Sequence, residues 1–433
     1  MIPSIAIGGA SCLLMILGVL FFPQIKLGRV KLDSYWVIVL FGALLMLLSG
    51  QVDPRFLMER LLADSSINPL KILVLFISMT VLSIFLDEVG FFRYLANLTL
   101  KKAKKSQLTL FTALYATVAL LTVFTSNDII VLTFTPFICY FAKNAKISPV
   151  PYLVAEFIAA NTMSMVFIIG NPTNIYIATS YGIGFVEYLL VMLLPTLASA
   201  LVAFFVLWLL FRKELKKVPE AEDSEVKIEN KPFLIVGLVL LGTCTLALAI
   251  GPYFGLEMWA VSLVSALLLY AIIGILCLAG KKRPTELWKC TKRAPWQLIP
   301  FVLSMFVMIL ALSQNGVTDA IASLLGTGAP VWKYGIVSFL AANLINNIPM
   351  SVLFCSVIAP LEGAVKTAAI YATVVGSNLG AFLTPIGALA GIMWSSLLKE
   401  HKVKFSYLDF IKYGAAVAIP TLLVNLLVLN FIV

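Results

Sequence analysis

"SNDIIVLTFTPF" (residues 126–137) sets a bare carboxylate, Asp128, directly behind Ser126 and Asn127 in a strongly apolar neighbourhood. An apolar run leads into it and a second, Pro-containing apolar run leads out. An acid near the centre of a bilayer costs at least ~2.5 kcal/mol on insertion scales, so it normally faces an interior cavity and serves ion or proton movement. Burial favours the neutral carboxyl, whereas a bound cation or a helix N-terminus favours the ionised one, so proton and ligand would compete there. The plainer alternative is an aspartate that only caps a helix start.

Outward from this stretch the chain is built for hydrocarbon. Its 433 residues are 61% hydrophobic and only 12% charged, with a mean hydropathy of +1.02, whereas soluble domains carry about 25% charged residues. Apolar runs of roughly 20 residues, enough for a core of about 30 Å, recur from end to end. The longest polar stretch, 213–231, is a linker and no soluble domain. The first run, 4–22, follows "MIP" without a basic n-region or a small-residue cleavage site, and reads as a retained span. Six cysteines without CxxC spacing suit a disulfide-free membrane protein, and nothing suggests a metal centre. His401 lies in a basic loop, which leaves no buried histidine for catalysis.

The net charge of +10 does not mark a nucleic-acid binder, because of where it lies. Basic clusters at 26–31, 101–105, 211–217, 281–293 and 399–404 all belong on cytoplasmic loops by the positive-inside rule. Spans at 4–22, 34–50, 69–88, 184–212, 232–250, 257–279 and 407–431 satisfy that placement if 107–145 and 331–363 each leave and return to one side. Of 31 Lys and Arg, 26 then fall at or near the inner face; the exceptions are Arg55, Arg60, Lys71, Lys333 and Lys366. The expected architecture is an all-α polytopic membrane protein with about 10 transmembrane helices and two re-entrant hairpins. Residues 1–212 form one repeat, with hairpin 107–145 and broken helix 150–182. After the cytoplasmic linker, 232–433 form the second in opposite orientation, with hairpin 331–363 and broken helix 366–397. Inverted repeats of this kind mark secondary transporters.

The polar interruptions fall where such an architecture needs them. Hairpin one carries Ser126, Asn127 and Asp128 at its tip, and hairpin two carries "INNIP" with Asn346 and Asn347. The broken helices carry "GNPTN", with Asn171, Thr173 and Asn174, and "GSNLGAFLTPIG", with Gly376, Ser377, Asn378, Thr384 and Pro385. Non-helical backbone at membrane depth is tolerated only when buried in protein or lining a watery cavity. Four breaks in repeat-related pairs point to one midplane site made of helix ends; a single break could be a mere kink. Among other acids, Asp87 and Glu88 are expected to form an interfacial ion pair with Arg93. Glu156, two turns into its span, is either part of a proton path or a paired structural acid.

"LDEVGFFRYLA" (86–96), "SNDIIVLTFTP" (126–136), "RAPWQLIPFVLSMFVMILALSQNGVTDAI" (293–321), "NNIPM" (346–350) and "GSNLGAFLTPIGALAGIMW" (376–394) resemble the bacterial arsenite/antimonite efflux permeases. That family sits in an ion transporter superfamily with sodium/proton antiporters and sodium-coupled carboxylate carriers. The resemblance implies proton-coupled export of trivalent arsenic and antimony across the cell (inner) membrane, with H⁺ as coupling ion. It also implies a cytoplasmic ATPase subunit as partner in some bacteria, and admits a homodimer. By matching motif, Asn127, Asp128, Asn346, Asn347 and the 376–387 segment would line the site.

Ser377 and Asn378 stand where those permeases usually carry an Asp, and "GNPTN" looks more like a turn of the carboxylate carriers. Two alternatives therefore stay open: a sodium-coupled carrier of a carboxylate or inorganic anion, and a sodium/proton antiporter. In the first, the paired tips would form Na⁺ sites of carbonyl and side-chain oxygens. Cys139 and Cys355 sit on the second arms of the two hairpins and could offer thiolates to soft As(III), though helix filler explains them as well. No HExxH, GxSxG or P-loop is present, so an enzyme or nucleotide hydrolase is not expected.

Overall fold

A computed structural model describes residues 1–22, 24–27, 30–63, 68–102, 106–216, 228, 230–281 and 283–433. Most of the linker expected at 213–231 lies outside the described residues, as do Arg29, Lys104, Lys105 and Lys282 of the basic clusters. The chain is an all-α polytopic membrane protein. Eight helices among the described residues are long and apolar enough to cross a membrane. The one sheet described is an antiparallel pair, Gln24–Leu27 with Val30–Asp33, in the first basic loop.

Helices Ile2–Phe21 and Ser34–Leu48 pack together, and Pro69–Glu88 follows the short helix Pro54–Leu62. The later half runs Lys231–Ile250, Met258–Ala279, the short Thr285–Arg293, then Leu298–Gln314. Each third long helix crosses over to the other half: Leu298–Gln314 packs on Ser34–Leu48, and Pro69–Glu88 on Met258–Ala279. Side chains set the helix starts. Asp53 accepts from Arg55 N (2.8 Å) and Asn68 from Leu70 N (2.8 Å), each just before a proline that begins the helix.

The acids at the end of Pro69–Glu88 do form an ion pair, but with a different partner from the one expected. Arg293 reaches Asp87 Oδ2 (2.7 Å) and Glu88 Oε1 (2.5 Å), and Lys289 adds a longer contact to Glu88 (3.6 Å). Arg93 is exposed. The pairing ties the two halves together across 205 residues of sequence.

Segments 107–145 and 331–363 each hold two consecutive helices, here termed hairpins one and two: Gln107–Phe124 with Asn127–Asn144, and Pro330–Ile345 with Asn347–Ile358. Each is followed by an interrupted helix: Val150–Met163 then Pro172–Ser180, and Gly363–Leu379 then Leu389–Glu400. The closing helices Phe185–Phe211 and Tyr407–Asn430 pack on each other. Asn425 Nδ2 bridges them, lying 3.1 Å from the Pro195 carbonyl and 2.8 Å from Ser199 Oγ. In apolar surroundings such a polar tie fixes the register of two otherwise featureless faces.

Candidate functional site

The two hairpin tips and the two helix breaks meet in one buried polar chain. Each tip begins a helix whose first residues are polar because free N–H groups need acceptors there. At tip one, Ser126 Oγ accepts from Ile129 N (3.4 Å). At tip two, Asn346 Oδ1 accepts from Ile348 N (3.3 Å). Asn346 pays for that position with φ +70° and ψ 151°, a region costing a non-glycine residue about 1–3 kcal/mol. Strain of this kind persists where surrounding structure over-determines it.

From tip one, Asn127 Nδ2 donates to Asn161 Oδ1 (2.9 Å), and Asn161 Nδ2 donates to the Phe157 carbonyl (2.8 Å). Ser164 Oγ lies 2.9 Å from the Asn161 carbonyl and 3.1 Å from Asn378 Oδ1. Asn378 is the hub. Its Oδ1 accepts from Asn171 Nδ2 (2.9 Å) and its Nδ2 donates to Asn174 Oδ1 (2.6 Å). Thr173 Oγ1 is 3.1 Å from Ser377 Oγ, and Asn347 Nδ2 donates to the Ser377 carbonyl (3.4 Å). The chain of contacts thus runs from one tip to the other. Asn127, Asn161, Asn171, Thr173, Asn174, Asn347, Ser377 and Asn378 are all at most 3% exposed.

Two oxygens in this chain find no donor: Asn127 Oδ1 and Asn347 Oδ1, the first helical residue of each second hairpin arm. A buried acceptor left unpaired costs about 1–3 kcal/mol, so the two tips carry a matched pair of open acceptors.

Asp128 is half-buried in the first turn of its helix, whose positive end favours a carboxylate there. Among the described residues it has no ion pair. It lies within electrostatic reach of Tyr35, whose hydroxyl donates to Gln297 Oε1 (3.1 Å).

Not every expected site residue joins this chain. Thr384 Oγ1 donates instead to Asn343 Oδ1 (2.6 Å), and Asn346 Nδ2 donates to the Ile386 carbonyl (3.0 Å). Thr384 and Asn346 therefore lock the second break, with Pro385 in the turn that follows Thr384, onto hairpin two rather than onto Asn171 and Asn174. Gly376 is a packing residue inside Gly363–Leu379. A Cβ there would meet Ser338 Oγ at 1.9 Å and the Gly335 carbonyl at 2.7 Å. Cys139 and Cys355 are buried, free and on different hairpins. Asn161 and Ser164, which sequence reasoning passed over, hold tip one to the hub; the polar run "ANTMS" (160–164) was their signal.

A cavity of about 470 Å³ opens beside this site, reaching Tyr176, one turn beyond Thr173. Tyr181, Cys355, Ser356, Gln314 and Asp319 also line it, and Arg60 sits at its rim over the Phe56 ring (4.9 Å). Tyr181 donates to the Cys355 carbonyl (2.5 Å), bracing the interrupted helix against hairpin two.

Comparison with known proteins gives the family of the chain. Residues 31–372 match the citrate transporter family. An arsenical pump membrane protein of Escherichia coli is 28% identical over 370 residues, 81% of this chain and 84% of the relative. A putative arsenical pump membrane protein of Bacillus subtilis is 24% identical over 421 residues, 90% and 93% of the two chains. A 46 kDa membrane protein of Mycobacterium leprae is 25% identical over 366 residues, 81% and 83%.

Proposed function

The chain belongs to the citrate transporter family, and from that premise we propose that this multi-pass transporter of the cell membrane exports arsenite and antimonite in exchange for protons. One observation carries the reading. The buried tip-to-tip chain consists of amides, hydroxyls and backbone carbonyls, with no Lys, Arg or His among its members. Arsenite at neutral pH is the uncharged trihydroxide, with three O–H donors and three oxygen acceptors. The unpaired Asn127 and Asn347 oxygens can accept hydrogen bonds from its O–H groups, and amide N–H groups can donate to its oxygens. A multiply charged anion would need cationic partners that this chain of contacts lacks.

Asp128 is the coupling group in this reading. It stands one residue from Asn127, at a helix end, without a counter-ion among the described residues. Residues 1–212 and 232–433 are taken as inverted repeats joined by the 213–231 linker, with hairpins and interrupted helices moving against the long spans. A cytoplasmic ATPase subunit and a second copy of the chain are partners this reading accommodates.

The two unpaired oxygens also favour a second reading. Amide oxygens at repeat-related tips are hard donors that suit Na⁺, as a sodium-coupled carrier of a carboxylate or inorganic anion would require. Accumulation of arsenite in everted vesicles separates the two. Under an inside-acid gradient the wild type accumulates arsenite and Asp128→Asn does not. Well-expressed wild type that accumulates none overturns the arsenite reading, and sodium-dependent carboxylate uptake then decides for the second.

A further inference from the structure

Glu156 lies outside the tip-to-tip chain and is 0% exposed, in the middle of Val150–Met163. Six residues inside that helix's start, it sits about 9 Å along the axis, between the polar site and the lysine-rich face. Thr135 Oγ1 is 3.0 Å from both of its carboxyl oxygens. No Lys, Arg or His among the described residues lies within ion-pair distance of it. A hydroxyl carries one hydrogen and can satisfy one oxygen at a time, which leaves a carboxylate with an unserved oxygen in an apolar interior. As a carboxylic acid the count closes, because its own O–H can donate to the threonine oxygen.

A second observation comes from the other half of the chain. Trp394, on Leu389–Glu400, stands within donor reach of Glu156, but its buried indole N–H falls short of good hydrogen-bond geometry. The ring is 1% exposed and held between Phe157 and Phe405. A small shift of Leu389–Glu400, which packs against Asn127–Asn144, would bring this N–H onto the carboxyl as a second donor. Such a shift would exchange an arrangement that suits the acid for one that suits the carboxylate.

We propose that Glu156 is a second proton-binding site, separate from Asp128, that loads and releases a proton as Trp394 withdraws from or engages its carboxyl. The bond that breaks on release is the Glu156 O–H; the proton passes to a solvent water, and the carboxylate left behind takes the Thr135 hydroxyl and the Trp394 N–H as its two donors. A metal cation is a poorer occupant, since one carboxyl and one hydroxyl fall short of the oxygen shell such ions need. Cys139, on the facing hairpin arm, is the titratable group that shares its surroundings. On the other helices packed against it, the Tyr115 hydroxyl is turned to the Ala200 carbonyl and Tyr188 faces Tyr371. Asp128, Lys143, Glu187, Lys366, Lys399 and Glu400 lie in the terminal turns of their helices.

The proposal goes beyond the substrate reading and needs no substrate to test. Infrared difference spectra of the purified full-length chain, recorded across a pH titration, read protonated carboxyls through their C=O stretch. The expected result is a titrating band lost in Glu156→Gln, retained in Asp128→Asn, and shifted in frequency in Thr135→Ala. In Trp394→Phe the pH at which the band disappears should change. A spectrum unaltered in Glu156→Gln, or a Glu156 band that never titrates, overturns the proposal. Should Glu156→Gln not fold, an unshifted band in Thr135→Ala overturns it equally. Because no cargo is added, failure of arsenite transport leaves this outcome unaffected.

Discussion

Asn378 Nδ2 donates to Asn174 Oδ1 over 2.6 Å, joining the last turn before one helix break to the first turn after the other across 204 residues of sequence. Both side chains are fully buried. Truncating either to alanine strips partners from buried amides, at about 1–3 kcal/mol for each group left unsatisfied. Thermal unfolding in detergent should register Asn174→Ala and Asn378→Ala as individually destabilising. The double variant should fall short of their sum, with a coupling of about 0.5–3 kcal/mol. Strict additivity would mean the two breaks do not act as one unit.

Asn346 offers a contrast between backbone and side chain. With φ +70° it occupies a conformation glycine adopts freely, yet its Oδ1 caps Ile348 N and its Nδ2 holds the Ile386 carbonyl. Asn346→Gly relieves strain while losing both bonds; Asn346→Ala loses both and keeps the strain. Alanine should therefore be the worse replacement by about 1 kcal/mol, measured as the difference in unfolding free energy. Equal effects would locate the residue's whole contribution in its side chain.

Much of this is legible in the sequence. Ser126, Asn127, Asn346 and Asn347 announce the hairpin tips because polar residues interrupting an apolar run have few places to go in hydrocarbon. Which partners they choose was not legible. Asn161 lies in the last turn of Val150–Met163 and Ser164 caps its end, positions where small polar residues read as packing or capping. Gly376 stands within the motif around Asn378 but faces Ser338, because helical periodicity sends neighbouring positions to different sides. Arg93 looked like the partner of Asp87 by proximity in sequence. The crossing of the third long helices brings Arg293 there instead, and sequence spacing carries no trace of that exchange.

The Arg293 pairing makes its own forecast. Asp87 is 6% exposed, so removing the guanidinium leaves a buried carboxylate with fewer partners. Arg293 itself is about a third exposed (34%), so the effect stays well below that of breaking a fully buried pair. Arg293→Ala should lower thermal stability by roughly 1–2 kcal/mol, and the deficit relative to wild type should shrink in high salt. Arg93→Ala should be within about 0.5 kcal/mol of wild type. The reverse ranking would restore the sequence-local pairing.

Orientation in the membrane follows from where charge and space lie. Lys289 and Arg293 share a face with the basic loops, which the positive-inside rule assigns to the cytoplasm. The 470 Å³ cavity, lined by Ser356, Gln314 and Asp319, opens at the opposite face, near the Met1 amine that donates to Asn315 Oδ1 (3.3 Å). Ser356 is half-buried on the cavity wall and Lys289 is exposed. A membrane-impermeant thiol reagent applied to intact cells should therefore label Ser356→Cys but not Lys289→Cys. After permeabilisation both should react. Five of the six native cysteines are buried and Cys12 is partly so, which keeps the background low. Labelling of Lys289→Cys in intact cells would invert the topology. The cavity would then be an entrance from the cytoplasm, the side from which the proposed export would load.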